Sequence, residues 1–314
     1  MNEPLVSIII PCYNAAEFVG EAIESALGQT YGNIEVIVID DGSTDESVEV
    51  LRSFGNRIRW ETGPNHGACA TRNRGLQISK GQIIQFHDSD DLLHTSKLQV
   101  QVPLLMGREK TTIFCDVETT LMDSGKTLEV NQPSETDGFR QVCLHKITTP
   151  APIHWKHDLQ LVGGFRSHLR CAQEKDLHLR MACSGIEFEH HSGVFVTVRR
   201  RLESLSSSYE RVLDQLTEVY ETAYQLLVEN EQQTDARCQA IAEALSAFAK
   251  HNAARGRTVE AERCQSLAGR IHSSRGYQAH TMLRRFAYQL VGYRLVHQLD
   301  AMRYRRRMTA QGAS

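Results

Sequence analysis

A repeating alternation of short apolar runs and amphipathic stretches through the first 90 residues limits the fold more than any other feature of the chain. The predicted strands are residues 6–10, 35–40, 57–62 and 82–87, and a helix follows each of the first three. The first two runs are apolar at nearly every position, which is typical of strands covered on both faces. The order βαβαβαβ therefore predicts an α/β fold with a mostly parallel central sheet.

Polar residues before two of the predicted helices match a helix-capping pattern. Asn14 precedes Glu17 by three residues, and Ser43 precedes Glu46 by the same spacing. In a capping box, the first side chain accepts a hydrogen bond from the first helical turn and the acid reaches back to it. We therefore predict that Asn14 and Ser43 begin the first two helices.

The pattern changes twice further along the chain. Residues 110–200 mix short strand candidates with one predicted helix, residues 174–183, and the sequence after Leu205 has helical periodicity for about 100 residues. Three consecutive serines, residues 206–208, interrupt the pattern between them. We predict a catalytic domain over residues 1–208 and an all-α C-terminal domain over residues 209–314.

Charge and cysteine content exclude several classes of protein. The chain has 35 Lys and Arg against 38 Asp and Glu, a net charge of −3, which argues against a nucleic-acid partner. Its eight cysteines include no CxxC pair, so we predict reduced, mostly buried thiols rather than a disulfide framework or a zinc site. We recognise no secretory leader and no apolar run of about 18 residues, so we expect a cytoplasmic protein.

Polar clusters follow three of the predicted strands: residues 11–14, 40–43 and 88–91. Ligands of open parallel sheets bind outside the carboxyl ends of the strands, so these clusters mark the expected site. Carboxylates gathered there repel one another unless a cation offsets them, which favours a divalent metal. The chain has neither GxGxxG nor GxxxxGK[ST], so side chains and metal would have to hold any phosphate.

Several motifs in order resemble those of the inverting family 2 glycosyltransferases. The matching segments are residues 6–14 (VSIIIPCYN), 29–31 (QTY), 35–45 (EVIVIDDGSTD), 65–67 (NHG), 70–75 (ATRNRG), 88–91 (DSDD) and 163–165 (GGF). The resemblance covers residues 5–206 and leaves the C-terminal region uncovered. It implies a Rossmann-like nucleotide-diphospho-sugar transferase fold.

The resemblance also implies roles for individual residues at the donor site. Residues implied to bind the donor are Pro11, Tyr13, Asp40, Asp41, Arg72, Asp88 and Arg199. Tyr13 would offer its ring to the base and Asp41, with Asp40 beside it, would accept from a pyrimidine. Arg72 would approach the diphosphate. Asp90, with Asp88, would bind Mg²⁺ or Mn²⁺.

The general base of the family is an aspartate in a Glu-Asp pair, and this chain departs from that pattern. It has Gln173 and Glu174 at the two positions. Glu174 keeps a carboxylate one methylene longer, so we predict that it is the catalytic base. Asp176 is the competing candidate, although an acid in the first turn of a helix is also explained by the helix dipole.

The resemblance implies transfer of a sugar with inversion, from a UDP-sugar in the favoured case, to a hydroxyl on a carbohydrate or lipid-linked acceptor, as in the synthesis of a polysaccharide, glycolipid or other glycoconjugate. The alternatives are a catalytically silent nucleotide-sugar-binding protein and an interaction protein that acts through its helical tail. A nucleotidyltransferase would need a glycine-rich triphosphate loop that the chain lacks.

A separate prediction concerns residues 281–314, which contain seven arginines and one acid, a local charge of +6. Apolar residues at helical spacing run between these arginines, as in basic helices that lie on anionic membranes. One interpretation is peripheral contact with the inner face of the plasma membrane. The other is a helix packed on its own domain or on a second subunit of a homo-oligomer.

Overall fold

The computed structural model describes residues 3–122, 124–133, 135, 137–200 and 209–272. The chain divides into two compact units, residues 1–207 and 208–314, and each is described by itself. Strands of the first unit are β1 (Val6–Cys12), β2 (Ile34–Asp40), β3 (Arg59–Thr62), β4 (Ile83–Phe86), β5 (Leu92–Leu93), β6 (Thr111–Leu121), β7 (Thr127–Asn131), β8 (Pro152–Trp155) and β9 (Glu187–Arg200).

Helices cover the sheet of the first unit and make up the described part of the second. They are α1 (Val19–Leu27), α2 (Ser47–Ser53), α3 (Ala68–Ile78), α4 (Lys97–Leu105), α5 (Gly138–Leu144), α6 (Lys156–Leu161) and α7 (Gln173–Cys183) in the first unit, then α8 (Tyr209–Glu229), α9 (Asp235–Ala254) and α10 (Thr258–Ile271). None of the described helices is both long and apolar enough to cross a membrane.

The first four strands form the parallel half of the sheet, in the order β3-β2-β1-β4. β1 is the central strand, and its residues Ile8, Ile9 and Ile10 have no exposed surface, as expected for a strand covered on both faces. All four predicted strands and the three helices between them are present, so the predicted α/β class is confirmed.

The remaining strands run in both directions. β8 is antiparallel to β4 and β6, β9 is parallel to β6, and β5 and β7 add antiparallel pairs. The β6–β9 register shifts on either side of Asp116, which is an irregularity of the kind that bends a sheet. The antiparallel pairs lie where the sequence pattern was least regular.

The predicted capping by Asn14 and Ser43 is wrong. α1 begins at Val19 and α2 at Ser47, and neither has a side-chain cap. Instead, the two loops bond to each other: the Asn14 backbone N donates to Ser43 Oγ (2.9 Å), and the Thr44 N donates to Asn14 Oδ1 (2.8 Å). These polar residues therefore fix the loops after β1 and β2 relative to one another.

The described part of the second unit is helical, as predicted. Five residues of the apolar stripe on α8 are buried: Leu213, Val219, Tyr220, Ala223 and Leu227. Gly256 separates α9 from α10, as expected from its place in the pattern. Gly276, a second glycine that the sequence pattern marks as a break between helices, and the basic segment 281–314 lie outside the described residues.

Candidate active site

The loops after β1, β2 and β4 meet at one edge of the parallel sheet. Cys12 is paired with Asp40, and Ile9 with Phe86, so the three following segments start side by side. Between them lies a cavity of about 490 Å³. The described residues that line it are Pro11, Cys12, Tyr13, Asp41, Asn65, Gly67, Ala68, Thr71, Arg72, Asp88, Ser89 and Asp90.

The end of β1 and the loop after it bring one unreactive thiol and one exposed aromatic ring to the cavity. Tyr13 has 51% of its surface exposed, so its ring is open to a flat ligand. Cys12 is buried, and burial raises the pKa of its thiol to about 11. A thiol with that pKa is protonated at neutral pH and is a poor nucleophile.

Asp41 lies in the cavity wall and holds the start of α3. Its two carboxylate oxygens accept from the backbone N–H groups of His66 (2.7 Å) and Gly67 (2.8 Å). Gly42 follows it with φ +75°, and a Cβ there would lie 2.9 Å from the Gly63 carbonyl oxygen. Only glycine fits this turn without strain, so the turn after β2 depends on the Asp-Gly sequence.

Asp40 is not among the described residues that line the cavity. It is 2% exposed, and its Oδ2 accepts from the Thr62 hydroxyl (2.6 Å) and the Ser43 N–H (3.3 Å). Its contacts therefore join the ends of β2 and β3 beneath the site.

Arg72, on α3, is a buried cation in the cavity wall. It donates from Nη2 to Asp88 Oδ1 (2.6 Å) and from Nη1 to Gln173 Oε1 (2.9 Å), and its guanidinium lies 5.3 Å from the centre of the Phe165 ring. Burial opposes the charge, but Asp88, together with nearby groups that include Glu174, outweighs burial and leaves the pKa of Arg72 raised. Arg72 therefore stays charged and joins the loop after β4 to α7.

The acidic segment after β4 contributes both half-buried and fully buried carboxylates. Asp88 and Asp90 line the cavity, whereas Asp91 is 4% exposed and accepts from the Arg199 N–H (3.0 Å). Burial, together with repulsion from Asp88 and Asp90, raises the pKa of Asp91 well above its usual value. Negative charge is therefore concentrated at this edge of the cavity.

Arg199, on β9, lies outside the cavity wall. Its guanidinium is 5.4 Å from the centre of the Phe18 ring and pairs with Glu21. It also donates to the Asp90 carbonyl oxygen. These contacts support the turn that carries Asp90. Arg201, which stands where the family usually has a histidine, lies outside the described residues.

The Gly163-Gly164-Phe165 loop is fixed by two residues that sequence reasoning missed. Asn73, on α3, accepts from the Phe165 N–H (2.8 Å) and donates to its carbonyl oxygen (2.7 Å). Arg180, on α7, donates to the carbonyl oxygens of Val162 and Gly164. Both partners are far from the loop in sequence; the available signal for Asn73 was its place in the ATRNRG segment.

Glu174 and Asp176, the two candidate bases, have different surroundings. Glu174 is in the first turn of α7, with 24% of its side chain exposed and Lys146 Nζ 3.7 Å from its Oε1. Asp176 has 1% of its side chain exposed and pairs with Arg180 at 2.7 Å and Arg166 at 3.5 Å. Asp176 is thus committed to a buried ion pair, and Glu174 is the more accessible of the two.

The family resemblance also leads us to expect acceptor contacts at His154, Trp155 and His157, and the structure gives these three side chains different surroundings. His154 is buried beside Thr112, and burial lowers its pKa to about 3. Trp155 donates its indole N–H to the Arg108 carbonyl oxygen (2.8 Å) and stacks on the exposed His157. His154 is therefore shielded from any acceptor.

Comparison with known proteins gives matches in both sequence and fold. The family described as Glycosyl transferase family 2 matches residues 7–157. An uncharacterized glycosyltransferase of Haemophilus influenzae is 41% identical over 127 residues, which cover 38% of this chain and 51% of that protein. The chain thus spans about half of that relative's length.

Two further similarities extend over more of the chain. The uncharacterized glycosyltransferase RP339 of Rickettsia prowazekii is 30% identical over 226 residues, 68% of this chain and 69% of that protein. The crystal structure of S. aureus TarS 1-349 in complex with UDP-GlcNAc has a TM-score of 0.71 at 19% identity, covering 93% of this chain and 90% of that chain. The fold is therefore the expected Rossmann-like one, and the chain belongs to glycosyltransferase family 2.

Proposed function

We propose that this chain transfers a sugar from a nucleotide-sugar, with UDP-sugars favoured, to an acceptor hydroxyl with inversion at the anomeric carbon. The observation that carries the proposal is the cavity at the ends of β1, β2 and β4, which gathers Tyr13, Asp41, Arg72, Asp88 and Asp90. TarS, which shares the fold, was crystallised with UDP-GlcNAc, and this supports a uridine nucleotide as the first candidate.

The nucleoside would lie between Tyr13 and Asp41. The exposed ring of Tyr13 offers a face for stacking, and Pro11 lies in the same wall. Asp41 uses its oxygens to hold two backbone N–H groups, but each carboxylate oxygen can accept more than one hydrogen bond. It can therefore also accept an N–H from a pyrimidine base.

The diphosphate would be recognised by Arg72. Among the described residues that line the cavity, Arg72 is the cation and Asp41, Asp88 and Asp90 are the acids. A guanidinium presents several N–H donors in one plane and matches phosphate oxygens. Because Phe165 and Gln173 hold Arg72 in place, little side-chain freedom is lost when a phosphate binds.

The acidic edge of the cavity fits a divalent cation shared with the donor. Mg²⁺ or Mn²⁺ takes one or two protein carboxylates and completes its shell with phosphate oxygens and water, and Asp90 and Asp88 would supply those carboxylates. The described residues contain no group of three or more His, Cys, Asp or Glu able to hold a metal alone. When bound, the cation would neutralise charge on the departing nucleoside diphosphate.

The chemical step would be a single in-line displacement. Glu174 takes the proton of the acceptor hydroxyl, and that oxygen forms a bond to the anomeric carbon. The bond from the anomeric carbon to the phosphate oxygen breaks with its electron pair, and the nucleoside diphosphate leaves from the opposite face. Positioning and charge stabilisation supply most of the rate enhancement, and the base contributes roughly 10²- to 10⁴-fold.

Nucleotide binding tests this assignment through two arginines on the same helix. Arg72→Gln removes the cavity cation, whereas Arg74→Gln changes an exposed arginine that pairs with Glu61. We expect calorimetry to show UDP binding weakened roughly 10- to 100-fold by Arg72→Gln and unchanged by Arg74→Gln. Equal UDP affinity in both variants would contradict the placement of the diphosphate.

A second function, a silent nucleotide-sugar-binding protein, is favoured by one observation. Lys146 Nζ lies 3.7 Å from the Glu174 carboxylate, so this carboxylate already has a cationic partner. Such a protein would bind UDP but release no nucleoside diphosphate from any UDP-sugar. Lys146→Met would then leave the chain inactive, whereas for the transferase it should preserve or increase turnover.

A further inference from the structure

Gln173 is the first residue of α7 and makes two hydrogen bonds of opposite kind. Its Oε1 accepts from Arg72 Nη1 (2.9 Å), and its Nε2 donates to the Leu169 carbonyl oxygen (3.0 Å). An amide can accept and donate at once, whereas an ionised carboxylate can only accept. The geometry of this position therefore suits an amide.

The backbone just before Gln173 has a strained conformation, so the two hydrogen bonds of Gln173 matter more for holding the start of α7. Ala172, the residue before α7, has φ +55°, a left-handed conformation that is strained for alanine. No side chain caps the N-terminus of α7. The bond from Gln173 to Leu169 thus ties the start of the helix to the preceding loop, next to Glu174.

The charge of the position matters because Arg72 already has one carboxylate partner. Arg72 is nearly buried and pairs with Asp88 at 2.6 Å. A carboxylate at position 173 would be a second acid against the same guanidinium, and it would place an oxygen against the Leu169 carbonyl. A cation paired with two carboxylates attracts a diphosphate less than one paired with a single carboxylate.

We propose that Gln173 is a positioning residue: its neutral amide aims Arg72 at the donor diphosphate and leaves Asp88 as the one carboxylate, among the described residues, that forms an ion pair with Arg72. The inference rests on the proposed donor site. It predicts that the Gln173 amide, through Arg72, affects the affinity for the second phosphate of the donor nucleotide more than the affinity for the nucleoside, which Tyr13 and Asp41 would hold.

The test compares UDP and UMP binding to full-length variants by calorimetry. Gln173→Glu adds the acid, Gln173→Met removes both hydrogen bonds without adding charge, and Gln160→Glu adds an acid at an exposed position on α6. We expect Gln173→Glu to weaken UDP binding at least about tenfold and UMP binding about twofold or less. We expect a smaller loss of UDP affinity in Gln173→Met and none in Gln160→Glu.

Two results overturn the inference, and they differ from failure of the donor site itself. Unchanged UDP affinity in Gln173→Glu would show that the charge at this position has no effect on the diphosphate. An equal loss for UDP and UMP, with a lowered melting temperature, would assign Gln173 a purely structural role. If the native chain binds none of UDP, dTDP, GDP and ADP, the proposed donor site fails, and the role of Gln173 fails with it.

Discussion

At the scale of single residues, the surroundings of each acid indicate whether it is available for chemistry or holds parts of the structure together. Glu174 and Asp176 are two positions apart on α7, yet Asp176 is closed into an ion pair with Arg180 while Glu174 retains access to solvent. Asp40 and Asp41 differ in the same way: Asp40 joins strand ends, and Asp41 lines the cavity. In each pair the two acids are close neighbours in the sequence, and the tertiary contacts give them different surroundings.

The matched substitutions Glu174→Gln and Asp176→Asn should therefore have different effects. The first should lower activity, and the second should lower the stability of the fold. We expect Glu174→Gln to keep UDP affinity within about twofold and to lower nucleoside diphosphate release roughly 10²- to 10⁴-fold, because only the proton acceptor is lost. Asp176→Asn should lower the free energy of unfolding by about 3–5 kcal/mol, because it leaves Arg180 buried without its counter-charge. Full activity in Glu174→Gln would move the base elsewhere.

At the scale of elements, the local sequence pattern predicts some parts of the site, and contacts between distant segments form the other parts. The strands β1, β2 and β4 and the loops after them could be predicted, because apolar runs and their order fix a parallel sheet and its carboxyl edge. The bonds of Asn73 to Phe165 and of Gln173 to Arg72 join segments 92 and 101 residues apart. No local periodicity encodes such contacts, and the same limit explains why the capping prediction for Asn14 was wrong.

Two buried histidines, one on β8 and one on α7, predict that the free energy of unfolding depends on pH. Burial lowers the pKa of His154 to about 3 and, together with the neighbouring cationic groups, lowers that of His178 well below its usual value. Their rings are 5.7 Å apart. Below pH about 6.5 the unfolded chain binds protons that the folded chain does not, so stability falls as pH decreases.

Urea unfolding between pH 6.5 and 4.5 measures this effect. Each buried histidine contributes a slope of up to about 1.4 kcal/mol per pH unit. His154→Gln should reduce the slope by about one histidine's share, whereas His66→Gln, at an exposed position, should leave it unchanged. Identical slopes in the native chain and in His154→Gln would show that His154 is not held neutral by the fold.

At the scale of the whole molecule, the described candidate site residues all belong to the first unit, residues 1–207. The basic segment 281–314 belongs to the second. The proposed transfer chemistry and the predicted membrane contact therefore belong to separate parts of the chain. Residues of the site can be substituted without changing the basic segment, and the basic segment can be deleted without changing the site residues.

Deletion of residues 281–314 tests the predicted membrane contact. With seven arginines and one acid in this segment, we expect the full chain to co-sediment with vesicles containing anionic lipid and the deletion to remain in the supernatant. Neutral phosphatidylcholine vesicles should bind neither. Equal sedimentation of both chains would favour the alternative, a helix packed on its own domain or on a second subunit.

The central claim is that the cavity binds a nucleotide-sugar and that the chain breaks its bond to the sugar. The most direct measurement is nucleoside diphosphate release from UDP-, dTDP- and GDP-sugars, with and without Mn²⁺, in the native chain, in Asp90→Ala and in the exposed control Asp235→Ala. We predict release that is stimulated by Mn²⁺, fastest with a UDP-sugar, lost in Asp90→Ala and retained in Asp235→Ala. Release that is unaffected by Asp90→Ala, or none from any donor together with no nucleotide binding, would contradict the account.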